Sequence, residues 1–228
     1  MAVMSDLGAI KLAIWDLDGT IIDSFGVFAA ILTEAAELSG RTVPDEETMR
    51  HNFHGSLDES IKSVLNLVDD DDVVVLLNDF LRIQVDYYAN PEEHLFPDVP
   101  ALAKRLHDLG ARQIVVTNRE HKGRGNASPR YLIEHSSMKQ YIELVIPGEA
   151  TSARKPDTSV LAGVEGIREL QGSEILVIGD QFVDAKLADN LDAHAIIVNR
   201  NPDPVPHLDE LGENPSFMTV VDSLDEVQ

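Results

Sequence analysis

The chain has 228 residues, enough for one α/β domain with a modest insert and a sizeable apolar interior, so no metal or disulfide staple is needed to hold it. Lysine and arginine number 18 against 40 aspartates and glutamates, and the resulting charge of −22 disfavours nucleic acids and anionic membranes as partners. Cysteine is absent, which excludes disulfides, thiol nucleophiles and thiolate-bound metals and leaves hard chemistry to oxygen and nitrogen.

In chain order, residues 9–15 form a short apolar run that predicts a buried strand, and Asp16-Leu17-Asp18-Gly19-Thr20 follows it directly. Side chains two apart in an extended chain point the same way, so Asp16 and Asp18 can face one crevice, while Gly19 lets the chain turn away. The next strand candidate begins almost a hundred residues later, too long an interval for one crossover, so something is inserted. The insert reads as helices. Phe28, Ile31, Leu32, Ala35 and Leu38 recur at three and four, as do Leu57, Ile61, Val64, Leu65 and Val68, and then Val74, Leu77, Leu81, Val85 and Tyr88. This predicts an all-helical cap over residues 22–92, set into a core made of 1–21 and 93–228. Four consecutive aspartates at 69–72 lack the spaced ligands of a calcium loop and read as a solvated turn between two cap helices.

Beyond the cap, Leu102, Leu106 and Leu109 predict a helix closed by Gly110. Strand candidates follow at 113–116, 144–146, 175–178 and 195–198, with a weaker one at 218–221. Val160, Val164, Ile167 and Leu170, opened by Asp157 and Thr158, predict a further helix. Strand alternating with helix argues for a doubly wound, Rossmann-like α/β parallel sheet, whose ligands bind beyond the carboxyl ends of the strands. Chemistry-bearing residues sit at those ends: Thr117-Asn118 after the second strand, Lys155-Pro156 after the third, and Gly179-Asp180 with Asp184 after the fourth. Four carboxylates gathered at one sheet edge would repel one another unless a cation neutralised them, and an oxygen-only ligand set suits magnesium. Arg119, Lys122, Arg124 and Arg130 cluster just past Thr117 and read as a mobile surface loop, with a basic rim for an anionic substrate as the alternative. Asn190-Leu191-Asp192-Ala193-His194 stands where a glycine-containing turn is expected.

The four groups in this order resemble the motifs of the haloacid-dehalogenase-like hydrolase superfamily across nearly the whole chain, in particular its helical-cap members, which include phosphoglycolate phosphatases and β-phosphoglucomutase-like enzymes. The resemblance implies an aspartyl-phosphate mechanism. Asp16 is then the nucleophile and Asp18 the general acid and base. Thr117 and Lys155 hold the transferring phosphoryl group, and Asn118 helps to cradle it. Magnesium is bound by Asp16, the Asp18 backbone, Asp180 and Asp184, the last directly or through an intermediary. Within the helical cap, residues 50–56 look like a specificity loop, with Arg50, His54 and Gly55 against the leaving group. His51 and His54, three apart, have no third ligand to complete a metal site.

An aspartate at position 18 is chemically expected for phosphate esters, whose alkoxide needs a proton, and not for halides. The expected activity is a magnesium-dependent phosphatase acting on a small phosphorylated metabolite. The alternatives are a sugar-phosphate mutase or, in another class, a non-catalytic protein that binds metal or phosphate. No stretch approaches the roughly 18 apolar residues of a spanning helix, and the first eleven residues lack the basic-then-apolar order of a secretion signal. A cytoplasmic monomer or homodimer is the expectation.

Overall fold

The computed structural model describes residues 7–53, 56–120, 125–201, 203–211 and 217–227. Six parallel strands form one sheet: β1 (Leu12–Trp15), β2 (Arg112–Val116), β3 (Leu144–Ile146), β4 (Ile175–Gly179), β5 (His194–Val198) and β6 (Met218–Val221). They lie in the order β3-β2-β1-β4-β5-β6, with β1 in the middle and the chain winding outward in both directions from it. The weak candidate at 218–221 does join the sheet as its last strand, beside β5.

Alternate residues of the strands supply two separate cores, as the period of two requires. Ala13, Trp15, Val115, Leu176, Ile178 and Ile196 face one side. Leu12, Ile14, Ile114, Val177, Ala195 and Ile197 face the other. Because both faces are covered, the central strands read as unbroken apolar runs. The first core continues into the inserted helices through Phe28, Ile31, Ile61, Leu76 and Phe80.

The insert comprises α1 (Ser24–Leu38), α2 (Glu46–His51), α3 (Leu57–Val64) and α4 (Asp70–Tyr87). Its two connections to the sheet run side by side: the Asp23 amide donates to the His94 carbonyl at 2.9 Å and the Phe96 amide to the Ile21 carbonyl at 3.0 Å. The acidic run does not make a turn. Asp69 is the N-cap of α4 and Asp70, Asp71 and Asp72 fill its first turn, where carboxylates complement the helix dipole and the unpaired amides. Past the insert lie α5 (Val99–Asp108), α6 (Pro129–Glu134) and α7 (Phe182–Asn190). No helix among the described residues is long and apolar enough to cross a membrane.

The helix expected from Val160 to Leu170 does not form. Two short 3-10 turns, Thr158–Leu161 and Ile167–Glu169, take its place. Gly163 and Gly166 fall inside the pattern, and Gly166 adopts φ +74°, which ends any right-handed helix there. The apolar spacing still served burial, since Val160, Leu161 and Val164 are all in the core. At the 190–194 turn, Asp192 takes the left-handed conformation itself, φ 52°, a region aspartate enters more readily than most residues.

Candidate active site

The carboxyl ends of β1, β2 and β4 meet at the centre of the sheet. Register places Trp15 beside Val115 and Ile178, so Asp16, Thr117 and Asp180 leave neighbouring strands at one edge. Asp16 is still tied to the ladder, its amide donating to the Ile178 carbonyl at 2.8 Å. Gly19, at φ +78°, turns the chain back, and a Cβ there would overlap the Asp180 carboxylate. Only glycine lets the two acidic segments come this close. The Thr20 hydroxyl holds Asp180 Oδ1 at 3.2 Å. Asp184 stands in the first turn of α7, where Oδ2 accepts from the Gln181 amide at 3.2 Å, and Gly179 lies so near that a side chain on it would strike this carboxylate.

Lys155 enters from the segment after β3. Its Nζ donates to Asp16 Oδ1 and, at 2.7 Å, to Asp184 Oδ1, and all three residues are buried. Carboxylate oxygens of Asp16, Asp180 and Asp184 lie within 4.8 Å of one another. Fully ionised, these three acids and one ammonium sum to −2, so one divalent cation would balance the group. The electrostatics report the same deficit. Burial, opposed by Lys155 and reinforced by Asp184 and Asp18, pushes the Asp16 carboxyl up to about 7. Asp180 is raised well above the ordinary range by burial and by the charges of Asp16 and Asp184. For Lys155 burial acts downward, but the two carboxylates overcome it and hold the ammonium above its usual value. An all-oxygen donor set, an excess of negative charge and a glycine cradle fit a hard divalent cation.

On the β2 side, Thr117 is buried and its Oγ1 accepts from the Arg119 amide at 3.0 Å. The Asn118 side chain brackets the backbone of Lys155: Oδ1 accepts from its amide at 3.0 Å and Nδ2 donates to its carbonyl at 3.3 Å. The Asn118 amide group is thus engaged in fixing the lysine.

Arg119 is the residue the sequence reading placed in a mobile surface loop. Its guanidinium instead forms a two-pronged ion pair with Asp18, Nε to Oδ2 at 2.9 Å and Nη2 to Oδ1. The remaining nitrogen, Nη1, donates to the Ala127 carbonyl at 3.1 Å. A cation directly after Thr-Asn, at the strand end opposite an Asp-x-Asp, was the signal available for this pair. Arg130 is exposed on α6, and Lys122 and Arg124 lie outside the described residues.

The cap residues are less closely joined to this edge. Arg50, on the last turn of α2, stacks over the Phe25 ring at 3.8 Å and donates to Glu46 Oε1 and Asn201 Oδ1, each at 2.9 Å. It links the insert to the loop after β5, and none of its described partners is one of the four site aspartates. His54 and Gly55 lie outside the described residues, and His51 is exposed.

A doubly wound sheet with a helical insert after its first strand and acids on the carboxyl edge defines the class: an α/β enzyme with its buried charged cluster at the topological switch point. The family model of haloacid dehalogenase-like hydrolases matches residues 13–198, and the chain belongs to that family. It is 29% identical over 192 residues to a phosphoglycolate phosphatase of Vibrio parahaemolyticus serotype O3:K6 (strain RIMD 2210633), covering 79% of this chain and 80% of the relative. A phosphoglycolate phosphatase of Rhodobacter capsulatus is 27% identical over 179 residues, 78% of each chain. Among solved structures, a predicted phosphoglycolate phosphatase from Haemophilus somnus 129pt shares the fold with a TM-score of 0.74 at 17% identity, over 96% of both chains. CbbY from Rhodobacter sphaeroides, in complex with phosphate, shares it with a TM-score of 0.65 at 15% identity, over 95% of this chain and 96% of that one.

Proposed function

We propose that this hydrolase is a magnesium-dependent phosphatase that removes the phosphoryl group from a small phosphorylated metabolite by way of an aspartyl-phosphate on Asp16. The observation that carries the reading is the buried Lys155 ammonium spanning Asp16 and Asp184, with Asp180 beside them. Asp16 attacks phosphorus, forming an O–P bond as the ester O–P bond breaks, and the departing alkoxide takes a proton from Asp18. Asp18 then removes a proton from the water that attacks the aspartyl-phosphate, which returns Asp16 as a carboxylate and releases inorganic phosphate. Thr117 donates to the transferring group and Lys155 offsets its charge, held in place by Asn118. Asp16, the Asp18 carbonyl, Asp180 and Asp184 would hold magnesium, which would supply the positive charge that lets a carboxylate approach a phosphate.

Residues 22–92 act as the cap over the core formed by 1–21 and 93–228, with Arg50, His54 and Gly55 as its candidate contacts for the leaving group. The net charge of −22 supports a small-molecule partner over nucleic acid or membrane, and the chain acts in the cytoplasm as a monomer or homodimer. Its relatives' names make phosphoglycolate the first ester to try.

The test is phosphate release from phosphoglycolate, sugar phosphates, nucleotides and cofactor phosphates, with magnesium and with chelator. Stoichiometric inorganic phosphate, only with metal and with no isomerised sugar phosphate, is the expected result. Isomerised product without free phosphate would make the enzyme a mutase, and no turnover of any ester would leave only a binding role.

A further inference from the structure

Asp18 is assigned above to give a proton to the leaving oxygen, yet in this structure both its oxygens are engaged by Arg119. The pair is not sealed from solvent. The Asp18 side chain is 30% exposed and the Arg119 side chain 16%. The guanidinium is fixed from behind by the Ala127 carbonyl, and the Tyr88 ring at the end of α4 lies 5.7 Å from it. What the structure displays is therefore a rigidly held fork, close to the nucleophile, already occupied by a carboxylate.

Freeing Asp18 without a replacement would leave Arg119 as an uncompensated, largely buried cation, which is strongly unfavourable. A second carboxylate, arriving on the substrate, removes that obstacle because it matches the same planar fork. We propose that Arg119 is a specificity-determining and positioning residue that exchanges Asp18 for a carboxylate on the leaving group, so that the enzyme selects phosphate esters of short hydroxy acids. The inference rests on the phosphatase reading and narrows its substrate class. The size also fits. Asp18 is two residues from Asp16, at most about 7 Å along the chain, so an alcohol of two or three carbons bound for transfer at Asp16 can bring its carboxylate to the fork. A neutral alcohol offers nothing in exchange, and Asp18 stays held by Arg119.

The experiment compares kcat and KM for phosphoglycolate and for ethyl phosphate, which has nearly the same size but no carboxylate on its alcohol, in the wild type, Arg119→Ala and Arg119→Lys. The wild type is expected to favour phosphoglycolate by about 100-fold in kcat/KM, the scale of a lost charge-assisted contact. Arg119→Ala should erase that preference from both sides, by raising KM for phosphoglycolate and by raising kcat for ethyl phosphate, whose reaction no longer meets a held Asp18. Arg119→Lys, which keeps the charge but not the fork, should lower it to about tenfold and gives the same ratio if the alanine variant does not fold. Equal use of both esters by the wild type overturns the inference while phosphate release upholds the phosphatase. A variant that loses the same factor on both esters overturns it too, because a merely structural arginine would act alike on each. A wild type inactive on every ester overturns the phosphatase reading, and this inference falls with it.

Discussion

The sheet-edge crevice keeps its charges inside, whereas the helical insert keeps its charges on the surface. Lys155, Asp16 and Asp184 are buried and joined to one another. In the insert, Arg41–Asp72, Lys62–Asp70 and Arg82–Asp79 lie at the surface around an interior of Phe28, Ile31, Leu76 and Phe80. The insert is stabilised in the ordinary way, by apolar area removed from water, about 1.5–3 kcal/mol for each large side chain fully buried. Nothing about stability calls for an ammonium and two carboxylates in the crevice, where an apolar trio of like volume would do as well or better. The contrast teaches that the two regions answer to different demands: the insert is built to fold, and the crevice holds charge that folding does not require.

The sharpest way to break this comparison is Asp16→Asn, which alters one atom of the side chain. Phosphate release is expected to fall at least about 10⁴-fold with the circular dichroism spectrum unchanged. Near-normal turnover would remove the nucleophile from the crevice. Next in size is Lys155→Met, which strips the acids of their counter-charge and should lower the unfolding free energy by about 3–5 kcal/mol in metal-free buffer, read from the denaturant midpoint.

Magnesium tests the same deficit from the other side. At about 100 times its dissociation constant it should add about 2.7 kcal/mol of stability, and Asp180→Asn should lose most of that gain relative to chelator-treated protein. A buried charge with a structural task gives a smaller, acid-side effect. Burial pushes the Asp98 carboxyl up, but Arg200, the Leu224 amide and the Ser223 hydroxyl outweigh it and hold it below its ordinary value. A folded value below the unfolded one means that its contribution is present above the usual 3.8 and is lost as pH falls through the lower folded value. Unfolding midpoints measured below pH 4 should therefore depend on pH less steeply in Asp98→Asn. The smallest effect belongs to the insert's surface: Arg41→Ala should cost about 0–1 kcal/mol. A loss there equal to that of Lys155→Met would erase the distinction between the regions.

Much of this arrangement was legible in the chain. The edge strand 218–221 and the third strand 144–146 were bounded as observed, because short apolar runs between polar turns leave little choice of limits. Helices α1 and α3 followed from their period; α4 formed where expected but on another stripe, with Val73, Leu76, Phe80 and Ile83 buried while Val74 and Val85 of the expected series are exposed, and α2 was missed: Asp45 as N-cap with Glu46 and Glu47 behind it was the available sign, in a segment too short to show a period. Periodicity misled at 160–170, where two glycines outweighed the apolar spacing, and composition misled at 69–72, where a row of aspartates looked like a turn and proved to be a helix start.

By itself the sequence determined which residues end each central strand and the order in which acid, hydroxyl, ammonium and acid occur, because strand identity and turn chemistry are local properties of the chain. Only the tertiary structure decided who pairs with whom. Lys155 reaches Asp16 across 139 residues and Arg119 reaches Asp18 across 101. Those contacts are set by the order and register of parallel strands, which bring distant segments to one edge, and by the burial that makes each charge find a partner there.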